Sequence, residues 1–249
     1  MTLMARMRWG TVVVLAGAAV LYAGDKKDKP KPATSQVVDS GSFGGFVKGQ
    51  RVVTETFSVR QDNGVSIVKS QLKETGGSAS SGQKSELEMT GSAEVVRYEW
   101  SDGSGSLVVT PNNDFLLEKI MTAGSSKPAE QSFLMPSTAA ILDNNVFVHR
   151  QVLAWRYLAT NCHTDNGTQK CQQGPLDFAV LVPQERTSMT VRLELVGVEK
   201  VTIRGAEREL LRLNLKGEAF SWTLWVDEKD QFKLMRVVIA DDNTEVVRD

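Results

Sequence analysis

The chain has 249 residues, of which 41% are hydrophobic, and its 29 basic and 30 acidic residues give a formal net charge of −1. This balance excludes the strong basic excess that indicates a nucleic-acid partner or an acidic membrane surface. The length is sufficient for one large all-β domain or two small domains.

The N-terminus has the form of a secretory signal. Arg6 and Arg8 precede the apolar run TVVVLAGAAVLYAG (11–24), and a charged segment follows it at once. The run is shorter than the roughly 20 residues that a membrane span needs. We therefore predict a signal peptide over 1–24, cleaved after Ala23 or Gly24, and export to the periplasm or beyond with no stable membrane span after processing. An uncleaved N-terminal anchor is the alternative.

A Lys- and Pro-rich tether is predicted over 25–42, and a single β-rich domain over 43–249. The domain opens with a hairpin, because two alternating segments, 51–61 and 65–73, flank an Asn63-Gly64 turn. Further strands are predicted at 84–90, 94–100, 106–110, 114–121 and 131–136.

The segment 137–159 is the exception to this pattern. It has no interior Gly or Pro, Ser137 is a suitable N-cap, and its apolar residues recur at roughly helical spacing. We predict a helix here that covers one face of a sheet, with an interruption at 143–145 dividing it in two. His149 has no catalytic partner in the sequence and is predicted to be a packed or surface residue.

Both cysteines, Cys162 and Cys171, lie in the loop TNCHTDNGTQKC (160–171). An even pair of cysteines in an exported chain favours a disulfide. Two alternatives are a zinc site that adds His163 and Asp165, and a Cys–His nucleophile. The spacing matches no common zinc module, and neighbouring residues in extended chain point apart. We predict a disulfide, no metal site and no cofactor.

Strands return after this loop. Six alternating segments are predicted at 176–183, 188–197, 199–205, 207–217, 219–227 and 232–240. Period-2 patterning with short connections is typical of an antiparallel meander. The predicted fold is therefore mainly β: an antiparallel meander forming a half-barrel or curved sheet, with one helical insertion near 137–159.

Residues that suggest catalysis are few. The chain contains none of the GxSxG, HExxH, Walker or GxGxxG motifs. Two pairs of carboxylates, Glu86 with Glu88 and Glu207 with Glu209, lie two residues apart and would permit a carboxylate-based hydrolase. Such pairs are more often solvated strand faces, so no catalytic residue is predicted.

An apolar concavity between sheet and helix is the better-supported kind of site. The large apolar residues predicted to line it are Trp155, Met189, Phe220, Trp222, Trp225, Phe232 and Met235. Plain core packing is the alternative for all of them. Trp222 and Trp225 are three apart on one strand, so they are predicted to face opposite ways and to leave one of them available to a partner.

Four C-terminal motifs carry a resemblance. They are ILDNNVFVHRQVLAWRY (141–157), VLVPQE (180–185), LWVDEKDQFKLMRVVI (224–239) and EVVRD (245–249). These resemble a group of uncharacterised exported bacterial β-domain proteins, which are similar in fold to the outer-membrane lipoprotein carriers. The resemblance implies a half-barrel around a helix and a non-catalytic role in binding a lipid or acyl chain. A structural or interaction module that contacts another envelope protein is the alternative.

Overall fold

The computed structural model describes residues 35–77, 82–165, 168–172, 174–240 and 243–249. The predicted signal peptide (1–24) lies outside them. The helix is α1 (Val148–Asn161), and Pro183–Glu185 form one 3-10 turn. The strands are β1 (Gln36–Val47), β2 (Gln50–Asp62), β3 (Val65–Glu74), β4 (Gln83–Thr90), β5 (Val95–Ser101), β6 (Gly105–Asn112), β7 (Phe115–Thr122), β8 (Ala129–Leu134), β9 (Ala140–Ile141), β10 (Cys162–Asp165), β11 (Thr168–Cys171), β12 (Pro175–Val182), β13 (Thr187–Ile203), β14 (Ala206–Lys216), β15 (Ser221–Asp227), β16 (Lys233–Ile239) and β17 (Thr244–Arg248).

Fifteen of these strands form one sheet. Its order is β8-β7-β6-β5-β4-β3-β2-β1-β17-β16-β15-β14-β13-β12-β9, so two meanders join where β1 pairs with β17. All pairings are antiparallel except the short contact between β12 and β9. The predicted class, a mainly β antiparallel curved sheet with one helix, is confirmed, and the sheet is open, with β8 and β9 at its edges.

The sheet begins earlier than the predicted domain. Strand β1 starts at Gln36, so residues 36–42 belong to the sheet although the sequence assigned them to the tether. Glycines conceal this strand because they lack strand propensity. A Cβ on Gly44 would lie 2.5 Å from the guanidinium carbon of Arg51, and one on Gly45 would lie 2.5 Å from Cγ1 of Val53. The flexible Arg51 side chain can move away but the short Val53 side chain cannot, so Gly45 is the position at which β1 needs glycine to lie against β2.

The predicted helix over 137–159 is correct only in its second part. Helix α1 starts at Val148, and in place of a short first helix the chain forms β9, where Ala140 and Ile141 pair with Val180 and Leu181. The interruption expected at 143–145 is real. The guanidinium of Arg150 binds the backbone carbonyls of Asp143, Asn144 and Val146, which are groups that a continuous helix would satisfy internally.

Two apolar clusters form on opposite faces of the sheet. The main core lies between the sheet and α1 and includes Phe43, Leu153 and Leu213, each no more than 1% exposed. A second cluster packs Val201, Ile203, Leu210, Trp225 and Met235 on the other face. It forms because β13 is one long strand and not the two predicted at 188–197 and 199–205. A bulge between Leu195 and Gly197 changes which side chains face the core.

Candidate functional site

A cleft of about 490 Å³ opens between the start of β1 and the second half of α1. It lies within the roughly 300–1,000 Å³ range of small-molecule sites. Trp155, Leu158 and Ala159 contribute one face of the helix, since positions i, i+3 and i+4 are neighbours. The complete lining is Gln36, Val37, Val38, Gln61, Trp155, Leu158, Ala159, Cys162, Gln231 and Phe232. None of these ten side chains carries a charge.

A buried ion pair fixes the walls of the cleft. Arg248 on β17 binds both carboxylate oxygens of Asp39 on β1, at 2.6 and 3.1 Å. Gln151 of α1 donates to Asp39 at 2.7 Å and accepts from the backbone N–H of Leu234 at 2.9 Å. The side chains of Asp39 and Arg248 are only 2% and 10% exposed. These bonds hold β1, α1 and β16 in one geometry.

The far wall of the cleft is a strained turn. Gln231 and Phe232 both have a backbone φ of +54°. Residues other than glycine pay a cost of about 1–3 kcal/mol in sparsely populated backbone conformations. The indole N–H of Trp155 donates to the carbonyl of Phe232 at 2.8 Å, which ties the helix to this turn. The structure thus holds the Phe232 ring at the cleft against local backbone preference.

The predicted disulfide between Cys162 and Cys171 is confirmed. The two residues are direct partners across the small β10–β11 hairpin, which begins where α1 ends. The hydroxyl of Tyr157 donates to the carbonyl of Gly174 at 2.6 Å and accepts from the backbone N–H of Leu195 at 2.8 Å. The disulfide and Tyr157 therefore connect the end of the helix to the sheet beside the cleft.

Of the seven predicted lining residues, the structure brings only Trp155 and Phe232 together at the cleft. Phe220 and Trp222 stack with their ring centroids 4.4 Å apart and pack, like Met189, against the main core. Trp225 and Met235 lie in the second cluster. Trp222 and Trp225 do face opposite sides, but neither is exposed: Trp222 is partly buried and Trp225 is 7% exposed.

Sequence reasoning missed most of the lining. Val37 and Val38 were placed in the tether, and their exposure of 55% and 38% marks them as unusual apolar surface. The three glutamines, Gln36, Gln61 and Gln231, carry no periodic signal. The β-branched pair Val37-Val38 was the local signal for a strand in this stretch.

A second, larger groove of about 690 Å³ crosses β2 to β6. Its lining comes from these five strands alone, and the inward residues Phe57, Ser70 and Leu107 are buried, so the groove lies on the face away from α1. Its lining includes four charged side chains, Lys69, Lys84, Glu86 and Glu99, beside apolar residues such as Trp100 and Val108. Glu86 is ion-paired with Lys69 at 2.9 Å, which is typical of a solvated strand face.

A buried polar network lies under the start of α1. The hydroxyl of Tyr98 donates to Asp143, whose other carboxylate oxygen accepts from the backbone N–H of Gln184 at 3.0 Å. His149 is 1% exposed, and its Nδ1 accepts from the backbone N–H of Asp143 at 3.2 Å. Glu55 accepts from Ser70 at 2.5 Å and from the backbone N–H of Val148 at 3.1 Å, so it caps the helix.

Burial dominates the protonation of this network. It raises the pKa of Glu55 to about 7, although bonds from Ser70 and the charge of Arg150 oppose the shift. Burial, with the neighbouring Arg150, lowers the pKa of His149 to about 3. Burial lowers the pKa of Arg150 to about 10, against the attraction of Glu55 and Asp143. His149 is therefore neutral at neutral pH, and it is packed as the sequence predicted.

One further buried acid lies near this network without a partner. Glu118 on β7 is 0% exposed, and neither of its carboxylate oxygens has a hydrogen bond within the described part of the protein. Burial raises its pKa to about 7, and Arg186 partly opposes the shift.

None of the residues Tyr98, Asp143, His149 or Glu118 lines either of the two clefts described above. Among the described residues, no cluster of three or more His, Cys, Asp and Glu side chains has a metal-binding arrangement. The described chain also contains no helix with the length and apolar character of a membrane span. The cleft beside Trp155 is the candidate site.

Comparison with known proteins finds no match: no family model, no curated protein and no solved structure is similar to this chain. The resemblance to exported β-domain proteins and to the lipoprotein carriers therefore stays a prediction.

Proposed function

We propose that the protein is an exported, non-catalytic binding protein that holds an acyl chain in the cleft beside Trp155. The observation that supports this most directly is the lining, in which apolar side chains from β1 and α1 face a space of about 490 Å³ and no side chain is charged. A charged group in such a space would make the transfer of a hydrocarbon chain unfavourable, and its absence favours an apolar ligand.

The buried area that useful affinity requires can be estimated. Burial of apolar surface contributes roughly 25 cal/mol per Å², so a chain that covers about 300 Å² gains about 7.5 kcal/mol. Micromolar affinity needs about 8 kcal/mol after a cost of association of at least about 4 kcal/mol, so about 500 Å² of the chain must be buried. The rim of three glutamines offers amide donors and acceptors to a neutral or carboxylic head group.

The test is titration of the purified mature protein with a fluorescent long-chain fatty acid, in wild type and in Val37→Lys. Val37 is 55% exposed at the cleft, so a lysine there is tolerated by the fold but places a charge against the chain. We expect at least a tenfold loss of affinity, equivalent to about 1.4 kcal/mol.

Val198→Lys is the matched control, because Val198 is 65% exposed on β13 and does not line the cleft. It is expected to bind as wild type does. Equal affinity in all three proteins would place the probe elsewhere, and no binding by a folded monodisperse protein would remove the proposed function.

A further inference from the structure

The two edges of the sheet differ in their protection. At one end β9 has only two residues, both buried. The part of β12 that β9 leaves uncovered starts with Pro175 and carries Asp177 in an ion pair with Arg192 at 2.8 Å. Short strands, proline and edge charges are the usual means by which proteins prevent a strand from pairing with another chain.

Strand β8 (Ala129–Leu134), at the other end, is longer than β9 and less protected, because its only charged residue is Glu130. It has six residues, of which five are exposed, and it contains no Pro, Lys or Arg. Within the described chain it pairs only with β7, and no other backbone hydrogen bond reaches it. Every second residue of such a strand directs its N–H and C=O away from the sheet. Another extended strand is the protein element that can hydrogen-bond to these N–H and C=O groups along the whole length of β8.

The side chains beside this edge are apolar. Leu134 is 77% exposed, and its direct cross-strand partner on β7, Phe115, is 42% exposed. Leu134 exceeds every other large hydrophobic residue of the described chain in exposure. Glu130 lies on the same face, four residues before Leu134, and its only ion-pair partner, Lys119, is on the β7 side. The Glu130 side chain is 51% exposed, and among the ion pairs of the described chain only its Oε1 is engaged, so Oε2 can accept from a basic residue on an added strand.

We propose that β8 binds an extended segment of another protein as an added antiparallel strand. The segment carries an apolar residue opposite Leu134 and a basic residue opposite Glu130. A second copy of this chain does not meet that description, because β8 has no basic residue. Six residues also span only about 20 Å, so an edge-to-edge contact would bury well under the roughly 800 Å² per partner of a stable interface.

A designed heptapeptide, acetyl-Thr-Leu-Thr-Val-Thr-Lys-Thr-amide, tests the proposal with the intact mature protein. In antiparallel register its Leu lies opposite Leu134 and its Lys opposite Glu130. Binding is measured by fluorescence anisotropy of the labelled peptide. Leu134→Lys is expected to weaken binding by about tenfold or more, the effect of losing one buried apolar side chain. Val198→Lys, which changes an exposed valine on β13, far along the sheet order from β8, is the control and is expected to bind unchanged.

Two N-methylated isomers of the peptide test the main-chain bonds directly. One is methylated at the amides of residues 2, 4 and 6 and the other at the amides of residues 3, 5 and 7, so each isomer blocks one edge of the added strand. We expect one isomer to lose binding and the other to keep it. Loss of both, or of neither, would overturn strand addition.

The charge contact has its own test. Glu130→Lys is expected to weaken binding several-fold, and a peptide with Glu in place of its Lys is expected to restore it to the variant. Failure of this rescue would contradict the proposed register. Concentration-dependent dimerisation that Leu134→Lys abolishes, measured by sedimentation, would assign the edge to a second copy and overturn the proposal. Val37, which lines the cleft beside Trp155, is on β1, far from β8 in the sheet order. Val37→Lys is therefore expected to bind the peptide as wild type does.

Discussion

Replacing Glu118 by glutamine should stabilise the protein at alkaline pH. The carboxylate of Glu118 is fully buried with no hydrogen-bond partner in the described chain. Its pKa of about 7 lies above the ordinary value of 4.5 because burial disfavours the charged form. A raised acid pKa means that the folded state binds the proton more tightly than the unfolded state does. The protonated acid therefore does not reduce the free energy of unfolding below about pH 4.5, and stability is lost as the pH rises from there through 7.

The size of the effect follows from the two pKa values. At 1.36 kcal/mol per pH unit, the interval from 4.5 to about 7 corresponds to roughly 3 kcal/mol, of which about 2–3 kcal/mol is lost between pH 5 and pH 8. Glu118→Gln removes the titration and keeps the shape. From pH 5 to pH 8, wild type is therefore expected to lose about 2–3 kcal/mol of unfolding free energy relative to Glu118→Gln.

Urea denaturation of both proteins at pH 5 and pH 8 measures this difference. Comparison with wild type at each pH cancels the contribution of other buried groups, including His149, whose lowered pKa gives the opposite pH dependence. Glu130→Gln, an exposed acid on the neighbouring strand, is the control and should behave alike at both pH values. A Glu118→Gln effect independent of pH would show that the carboxylate is solvated or paired, and would contradict a raised pKa for Glu118.

Three other predictions concern the compartment, the disulfide and the buried ion pair. Intact-mass analysis of fractionated cells should find a mature chain that begins near Gly24 or Asp25 in the envelope fraction, and full-length protein in the cytosol would contradict export. Cys162→Ser should lower the free energy of unfolding by roughly 2–3 kcal/mol, the value expected for a short closed loop, and a variant as stable as wild type in non-reducing buffer would contradict this. Arg248→Met should cost about 3–5 kcal/mol, because it leaves the buried carboxylate of Asp39 without its charge partner; a cost below about 1 kcal/mol in urea unfolding would show that the pair is solvated.

The alternation of apolar and polar residues predicted the strands well wherever the two faces of a strand differ in burial. The Asn63-Gly64 turn joins β2 to β3 as expected, with Asp62 directly opposite Val65. The disulfide was equally readable, because only one pair of cysteines exists. These features depend on local chemistry alone, which is why a single sequence was sufficient.

The rest depends on contacts between distant residues. Strand β1 contains Gly41, Gly44 and Gly45, and its reason for being a strand is its fit against β2 and β17. Residues 137–147 have apolar residues at helical spacing but form no helix. Arg150 binds backbone carbonyls in this segment, and the pairing of β9 with β12 provides partners for other backbone groups. The cleft was only partly predictable for the same reason, since Val37 reaches Trp155 only after β1 has joined the sheet.

Acyl-chain binding in the cleft is tested by native mass spectrometry of the protein purified from its own envelope. We expect a folded protein with one bound molecule that yields a fatty-acyl species on extraction. We expect this molecule to be absent from Val37→Lys and present in Val198→Lys. A wild-type protein that carries no ligand, or an adduct that all three proteins retain equally, would contradict acyl-chain binding in the cleft.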